Sequence, residues 1–431
     1  MKSISIVGVG PVGLAMFDAL TRECRDTGRR VQINLIDPNP MGHGVYGWEK
    51  EDNLLLNTHC GEICCFMDRA AMSTSFDVSH YTFYEWVMKK GLRLNGTALS
   101  TTEGRKIKPT DFLPRHLLAQ YLHDCFQLIN AESTCPVELI PHSVVSLDEP
   151  EGQRKCYLKL DDDRVIECDE VIFCLGHGQG APKSDIRHKV LNCYPAQFLK
   201  EHCHPDSRVV ISGVGLSAMD AIVSLTQGKG GEFKYDEQGV AIDYMPSGEE
   251  PAITMVTSKE MPFLSRPLYD VTAIADYTPH YFTKYNLEKL NRKEVCFEQD
   301  VLLLIKREVK LAFGVFLCKL EPSLAFHLET YSENISQFET IMAPYLADCQ
   351  PDNWFGLSNQ QATPEGFYAQ LNQDIANSTV PTAYKFAIEL LRYLRADLRN
   401  FIDSESCSEK CYEDFYASAY KVFYRLNVGP R

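Results

Sequence analysis

No stretch of this 431-residue chain reaches the roughly 18 consecutive apolar residues that a membrane-spanning helix requires. Positive charge is also scarce: 43 lysines and arginines stand against 58 acids, for a net charge of -15. That balance argues against a general nucleic-acid or anionic-membrane surface and favours small-molecule partners. The 16 cysteines include no C-x-x-C pair. Cys60 and Cys64, like Cys407 and Cys411, are spaced C-x-x-x-C, so packed, reduced thiols are expected rather than a redox or zinc site. His202-Cys203-His204 has no second ligand pair at finger-like spacing and reads as a polar loop, so no metal site is expected. There is no low-complexity tail, and the first apolar stretch is consumed by a glycine turn rather than a signal sequence. A soluble, cytoplasmic protein is expected.

The chain does have enough apolar residues, 45%, to bury a sizeable core, and enough length for more than one domain. Its most informative stretch is Ile4-Ser5-Ile6-Val7-Gly8-Val9-Gly10-Pro11-Val12-Gly13-Leu14-Ala15, an apolar strand that breaks into G-x-G-x-x-G and continues as a helix. In such a turn Gly8 allows the tight bend, Gly10 lets backbone approach a pyrophosphate, and Gly13 lets helix and strand pack closely. The phosphate would sit on the helix N-terminus, at Pro11 and Val12. The next strand, 31–36, ends in Asp37, at the usual distance for a carboxylate that binds a ribose hydroxyl.

Beyond Asp37, residues 38–48 (Pro-Asn-Pro-Met-Gly-His-Gly-Val-Tyr-Gly-Trp) are too polar and broken for a strand or helix and read as a ligand-facing loop. Leu54-Leu55-Leu56-Asn57-Thr58 is a short apolar run ending in polar groups, with core aromatics expected at Phe76, Phe83 and Trp86. A helix over 116–129 follows Pro114, its apolar residues on a helical period. Arg115 at its start has two readings of equal weight, a phosphate contact or a structural salt bridge. Residues 137–175 read as β-rich, with a charged hairpin tip at 161–164. The run 171–175 empties into Gly176 and His177, where a cofactor can lie against backbone.

A second turn begins at Arg208: an apolar strand runs into Gly213-Val214-Gly215-Leu216-Ser217-Ala218, with Ala218 in the third glycine's place, which the fingerprint allows. After a glycine- and acid-rich insertion over 228–251, the strand 252–256 ends in Thr257-Ser258-Lys259 with no carboxylate. An acid there would bind a free ribose hydroxyl, whereas a cation accepts a 2′-phosphate, so NADPH is favoured at this second turn. From about Asn286 the pattern is mainly helical, clearest over 381–402, where Arg392, Arg395 and Arg399 form a solvated face or pair with Glu389 and Asp397.

Taken together these motifs resemble the bacterial FAD/NAD(P)-binding oxidoreductase family, two-dinucleotide-binding flavoproteins that border on the flavin N-hydroxylating monooxygenases. The resemblance covers about the first 265 residues, ending at Phe263-Leu264-Ser265-Arg266. It implies an α/β fold of two Rossmann-like dinucleotide-binding domains with a mainly helical C-terminal region: FAD-binding over 1–205, NAD(P)-binding over 206–285, and a helical region over 286–431 that completes the FAD domain or the substrate pocket. FAD would contact Gly8, Gly10, Pro11, Val12, Gly13, Asp37, Gly44, Tyr46, Asn57, Thr58, Arg115, Gly176 and His177. NADPH would contact Gly213, Gly215, Ser217, Ala218, Ser258 and Lys259. The late apolar strand ending in a T-G turn that usually closes the family's FAD domain has no counterpart here. Because the flavin carries the difficult chemistry, no side chain is singled out as catalytic. The resemblance implies an NAD(P)H oxidoreductase, foremost a monooxygenase that uses oxygen on a small amine or amino-acid-like substrate. A non-oxygenating reductase and a nucleotide-binding partner protein with reduced turnover stay open.

Overall fold

A computed structural model describes residues 1–47, 52–66, 81–95, 98–150, 154–176, 191–235, 241–257, 264–269, 274, 276–290, 295–346, 363–404 and 407–419. Trp48, Phe76, His177, Ser258, Lys259 and Phe263 lie outside them. Strand β1 (Ser3–Val7) leads through the first glycine turn into helix α1 (Pro11–Thr27), which returns to β2 (Gln32–Ile36). The helix starts at Pro11, inside the motif, because proline's fixed φ suits a first helical position. It buries Leu14, Phe17, Thr21 and Cys24, three or four residues apart, and ends at Gly28 with φ 67°. Helix α2 (Arg115–Glu132) begins one residue before the expected start and runs three beyond the expected end. With β3 (Val137–Ile140) and β4 (Glu170–Phe173), the first two strands form a parallel sheet in the order β4-β1-β2-β3. Ile6, Ile33 and Leu35 of that sheet are fully buried in one core with Phe17, Phe83, Trp86 and Tyr121.

The expected β-rich segment supplies β3, β4 and a separate antiparallel meander of Val144–Asp148, Cys156–Leu160 and Val165–Cys168. The charged tip is a turn, with Asp163 at φ 66°. A second parallel pair, β5 (Arg208–Ser212) and β6 (Ala252–Val256), is joined through helix α3 (Leu216–Leu225). The insertion between α3 and β6 holds an antiparallel hairpin, Glu232–Tyr235 with Ala241–Met245, which its glycine and acid content hides in the sequence. Phe233 packs against Tyr244 across it with the rings tilted by 47° and their centroids 4.8 Å apart. The segment around Cys203 is not a polar loop. It is the end of a helix, Ala196–His202, whose Leu199 packs with Cys203, Ala221 and Leu225 in a small core around α3. Every described cysteine is free and none is fully exposed.

From Leu264 onward a separate core forms, built on helix α4 (Leu302–Leu320) packed against α5 (Ala383–Ile402). No strand follows β6 among the described residues, and no described helix is long and apolar enough to cross a membrane. This core contains a fully buried carboxylate, Glu308. It accepts the Tyr277 hydroxyl at 2.5 Å and the backbone N–H groups of His280, Tyr281 and Phe282 at 2.9, 2.6 and 2.8 Å. The proximity of the carboxylate and burial together push the Tyr277 hydroxyl well above its usual range, burial being the larger cause. One acid thereby satisfies three consecutive loop amides that have no ladder partner. Glu308→Ala is expected to cost about 3 kcal/mol, since several buried donors lose a charged acceptor. The amides of residues 280–282 should then exchange with solvent far faster. Unchanged exchange at those three amides would show that something other than Glu308 holds the loop.

Candidate cofactor and substrate site

The first glycine turn is built by close backbone approach. Gly8 has φ 87°, and a Cβ there would lie 2.4 Å from the Cys174 carbonyl oxygen. At Gly13 a Cβ would lie 2.0 Å from the oxygen of Gly8. No other residue fits either position without moving strand or helix. Gly8 N–H donates to the Ile36 carbonyl at 2.8 Å, which locks the turn to the end of β2. Asp37 follows, its carboxylate accepting Val9 N–H at 2.7 Å and Asn39 N–H at 2.8 Å, so it braces the turn it was expected to serve. Gly10 caps α1 with no side-chain hydrogen bond, and Pro11 and Val12 are exposed. By contrast Thr82, Thr283, Thr363 and Thr382 each cap their helices with a hydroxyl. No side chain therefore caps the first turn of α1.

The loop expected to face ligand is seated on this turn. Gly42 N–H donates to Val9 O at 2.7 Å, and Gly44, at φ 49°, lies against Gly10 and Pro11. Residues Gly44–Gly47 wind into a short 3-10 turn rather than an open loop, with Tyr46 packed against the first core. His43 stands edge-on to His123, with centroids 5.4 Å apart. Burial, then His123, lowers its pKa. Gly176 sits just past β4 in the left-handed region, at φ 65°, with open space where a Cβ would point.

The second turn repeats the first turn's key hydrogen bond: Gly213 N–H donates to Val256 O at 2.7 Å. Gly213 has φ 106°, Gly215 caps α3 without a side-chain partner, Ser217 is exposed and Ala218 is buried against the strand. His177, Ser258 and Lys259 fall outside the described residues, so the 2′-phosphate reading rests on sequence.

Two motifs separated by more than fifty positions prove to be one unit. Leu56 N–H donates to Leu113 O and Arg115 N–H to Leu54 O, each at 2.9 Å, so the L-L-L-N-T run pairs with the L-P-R segment. Leu54 and Leu56 are buried, and Asn57 emerges exposed, its carboxamide accepting only the Thr58 hydroxyl at 3.3 Å among the described residues. Of the two readings of Arg115, the structure has the salt bridge: its Nη2 lies 2.6 Å from Asp220 of α3.

Sequence reasoning missed a cluster next to this unit. The 3-10 turn Cys60–Glu62 begins two residues after Thr58, with His59 as its N-cap, and carries Glu62, which accepts from or pairs with His59 at 3.2 Å and lies 3.9 Å from Arg266. The His59 hydrogen bond holds the Glu62 carboxyl below its usual range against the opposing effect of burial, with Arg266 and Arg395 adding to it. On α5, Arg392 is 6% exposed and pairs with Glu389 at 2.8 Å, one of the two expected arrangements, whereas Arg399 is on the exposed face. Burial, together with repulsion from Arg266 and Arg395, brings Arg392 down to about 10. Arg395 is lowered in the same direction by burial, then by Arg399 and Arg266. Buried Arg266 Nε and His59 Nε2 have no hydrogen-bond partner among the described residues. Lys385, entirely buried, donates to Asp374 at 2.7 Å and to the Ser265 carbonyl at 2.6 Å, fixing the backbone beside Arg266. An S-R dipeptide and an arginine every third or fourth position were visible in the sequence, but not their convergence.

Residues 5–178 match the profile of an FAD-NAD(P)-binding family. Over 475 residues the chain is 22% identical to a nitrosuccinic acid synthase of Aspergillus oryzae, covering 99% of this chain and 70% of that protein. It is 24% identical over 486 residues to a nitrosuccinate-forming L-aspartate N-monooxygenase of Streptomyces davaonensis, with 99% and 73% covered. A Streptomyces cremeus enzyme of the same description is 25% identical over 341 residues, 72% of this chain and 51% of that protein. Among solved structures, a lysine monooxygenase of Nocardia farcinica aligns at 14% identity and TM-score 0.37 over 71% of this chain and 66% of that one.

The match to an FAD-NAD(P)-binding profile makes the first turn testable by colour. Gly13→Ala should remove most of the bound flavin, because its Cβ meets the Gly8 carbonyl. Gly28→Ala, at positive φ but with nothing within 4 Å, should cost about 1 kcal/mol of stability and leave flavin content intact. The ratio of visible to ultraviolet absorbance reads both. Equal flavin in Gly13→Ala and the parent would place the cofactor elsewhere.

Proposed function

We propose that this chain is a cytoplasmic, FAD-dependent N-monooxygenase that uses NADPH and oxygen to hydroxylate the amino group of a dicarboxylic amino acid such as aspartate. The net reaction converts amine, oxygen, NADPH and a proton into hydroxylamine, water and NADP+. In this reading the two glycine turns anchor two Rossmann-like dinucleotide-binding domains, expected over 1–205 and 206–285, and the helical region expected over 286–431, whose core also takes in Leu264, Ile274, Tyr277 and Phe282, closes the substrate pocket. Bound FAD supplies the redox and oxygen chemistry. Gly8, Gly10, Pro11, Val12 and Gly13 hold its diphosphate with Gly44 and Tyr46 closing over it, and Asp37 reaches the ribose. Asn57, Thr58, Gly176 and His177 lie toward the ring. Gly213, Gly215, Ser217 and Ala218 hold NADPH, with Ser258 and Lys259 on its 2′-phosphate.

The observation that carries the substrate class is the arginine cluster at Arg266, Arg392 and Arg395. Four guanidiniums, counting Arg399, interact electrostatically around two carboxylates, Glu62 and Glu389, in a protein that is strongly acidic as a whole. Mutual repulsion at a partly buried site is relieved by an anion, and guanidinium forks match carboxylates. A substrate with two carboxylates supplies that charge, while a lysine-like side chain would add to the repulsion. The names of the relatives point to the same substrate class.

Arg266→Gln should raise KM for L-aspartate by roughly 10- to 100-fold, the worth of a lost charge-assisted contact of about 1.5–3 kcal/mol. The rate at which NADPH reduces the flavin without amino acid should change little. Steady-state kinetics with aspartate and lysine, beside stopped-flow reduction, check this. An unchanged KM for aspartate, or parent enzyme that turns over lysine as readily, removes the arginines from substrate recognition.

A further inference from the structure

We infer that Arg115 is a positioning residue that latches the two nucleotide turns together and so sets the approach of the nicotinamide to the flavin. The inference rests on the two-cofactor reading above. Three pieces of the chain meet at this one guanidinium. Its Nε donates to the Leu55 carbonyl at 3.0 Å, two residues before Asn57. Its Nη1 donates to the Tyr194 hydroxyl at 3.0 Å, and its Nη2 lies 2.6 Å from Asp220 Oδ2. Tyr194 in turn donates its hydroxyl to Asp220, and Cys193 beside it donates to the Ser217 carbonyl at 3.0 Å. Asp220 sits in the second turn of α3, whose first turn carries Ser217 and Ala218.

The bridge is largely removed from water, with the side chains 13% and 11% exposed. Burial alone would lower Arg115, but Asp220, followed by Tyr194, holds it above the ordinary arginine value. Such a pair fixes orientation strongly, because separating it leaves a buried charge unmatched. The guanidinium's planar donors are divided among three acceptors on separate segments, a geometry lysine cannot reproduce. One end of the bridge fixes the strand-like pairing that presents Asn57 and Thr58. The other fixes the helix behind the second glycine turn. Small errors in the relative placement of two reacting groups cost up to roughly 100-fold in rate.

Arg115→Ala and Asp220→Asn, purified with FAD and mixed anaerobically with NADPH, should each reduce flavin 10- to 100-fold more slowly at saturation than the parent. Apparent NADPH affinity should change less than about threefold, and the double variant should be no slower than either single one, since both remove one interaction. Arg115→Lys should recover part of the rate. If instead Arg115 grips a phosphate directly, Arg115→Ala will weaken NADPH affinity at an unchanged saturating rate, and Asp220→Asn, which frees the cation, will tighten it; that result overturns the latch. Amide exchange supplies a readout independent of cofactor chemistry. Both variants should speed exchange in Leu216–Leu225 and at Leu56 and Arg115, and protection equal to the parent's overturns the latch even if NADPH never reduces the flavin. Failure of the parent itself to be reduced would count against the two-cofactor reading alone.

Discussion

The constraint on which this structure depends is the contact of backbone with backbone at two glycine turns. At each, an amide just past a strand donates to the carbonyl that ends the neighbouring parallel strand: Gly8 to Ile36, and Gly213 to Val256. In the first turn the space a Cβ would need is already taken by the oxygens of Cys174 and Gly8. Strand, turn and helix are therefore placed by what is missing from the side chains. The helix starts at Gly10 and Gly215 carry no side-chain cap, an arrangement that leaves a helix N-terminus open to an anion.

Around this constraint the remaining polar interactions act as braces. Asp37 holds the first turn from below through Val9 and Asn39. Arg115 ties the L-N-T segment to the second helix, and Glu308 and Lys385 fix two stretches of backbone against the helical core. Each of these charged groups is buried and bonded to backbone or to an opposite charge, the condition under which burial of a charge is tolerated. The arginines near Glu62 differ. There Arg266, Arg392 and Arg395 lie close enough to repel one another, and buried Arg266 Nε has no hydrogen-bond partner among the described residues.

The sequence made the glycine turns legible because their geometry tolerates so few residues, and it made α1 and α2 legible because their buried residues keep a helical period. It misread Cys203 as part of a polar loop because the flanking histidines masked a helix end packed on α3. The hairpin of residues 232–245 escaped notice for a similar reason, its alternating aromatics lying among glycines and acids. What local pattern cannot carry is partnership across the chain. Arg115 with Asp220, and Glu62 with Arg266, join residues that only the tertiary fold brings together, so the sequence could offer a salt bridge at Arg115 and a periodic row of arginines but not their partners. The same holds for Lys385, an unremarked lysine on an amphipathic helix until its partners Asp374 and Ser265 are seen.

N-hydroxylation of an acidic amino acid is most directly tested by the fate of oxygen. Purified protein loaded with FAD should be supplied with NADPH, L-aspartate and isotopically labelled oxygen, and the amino acid analysed by mass spectrometry. Aspartate carrying labelled oxygen on its nitrogen, formed in step with NADPH consumption and absent when L-lysine replaces aspartate, is the expected result. NADPH oxidised at the same rate with aspartate recovered unchanged would contradict it, and would leave a flavin reductase in its place.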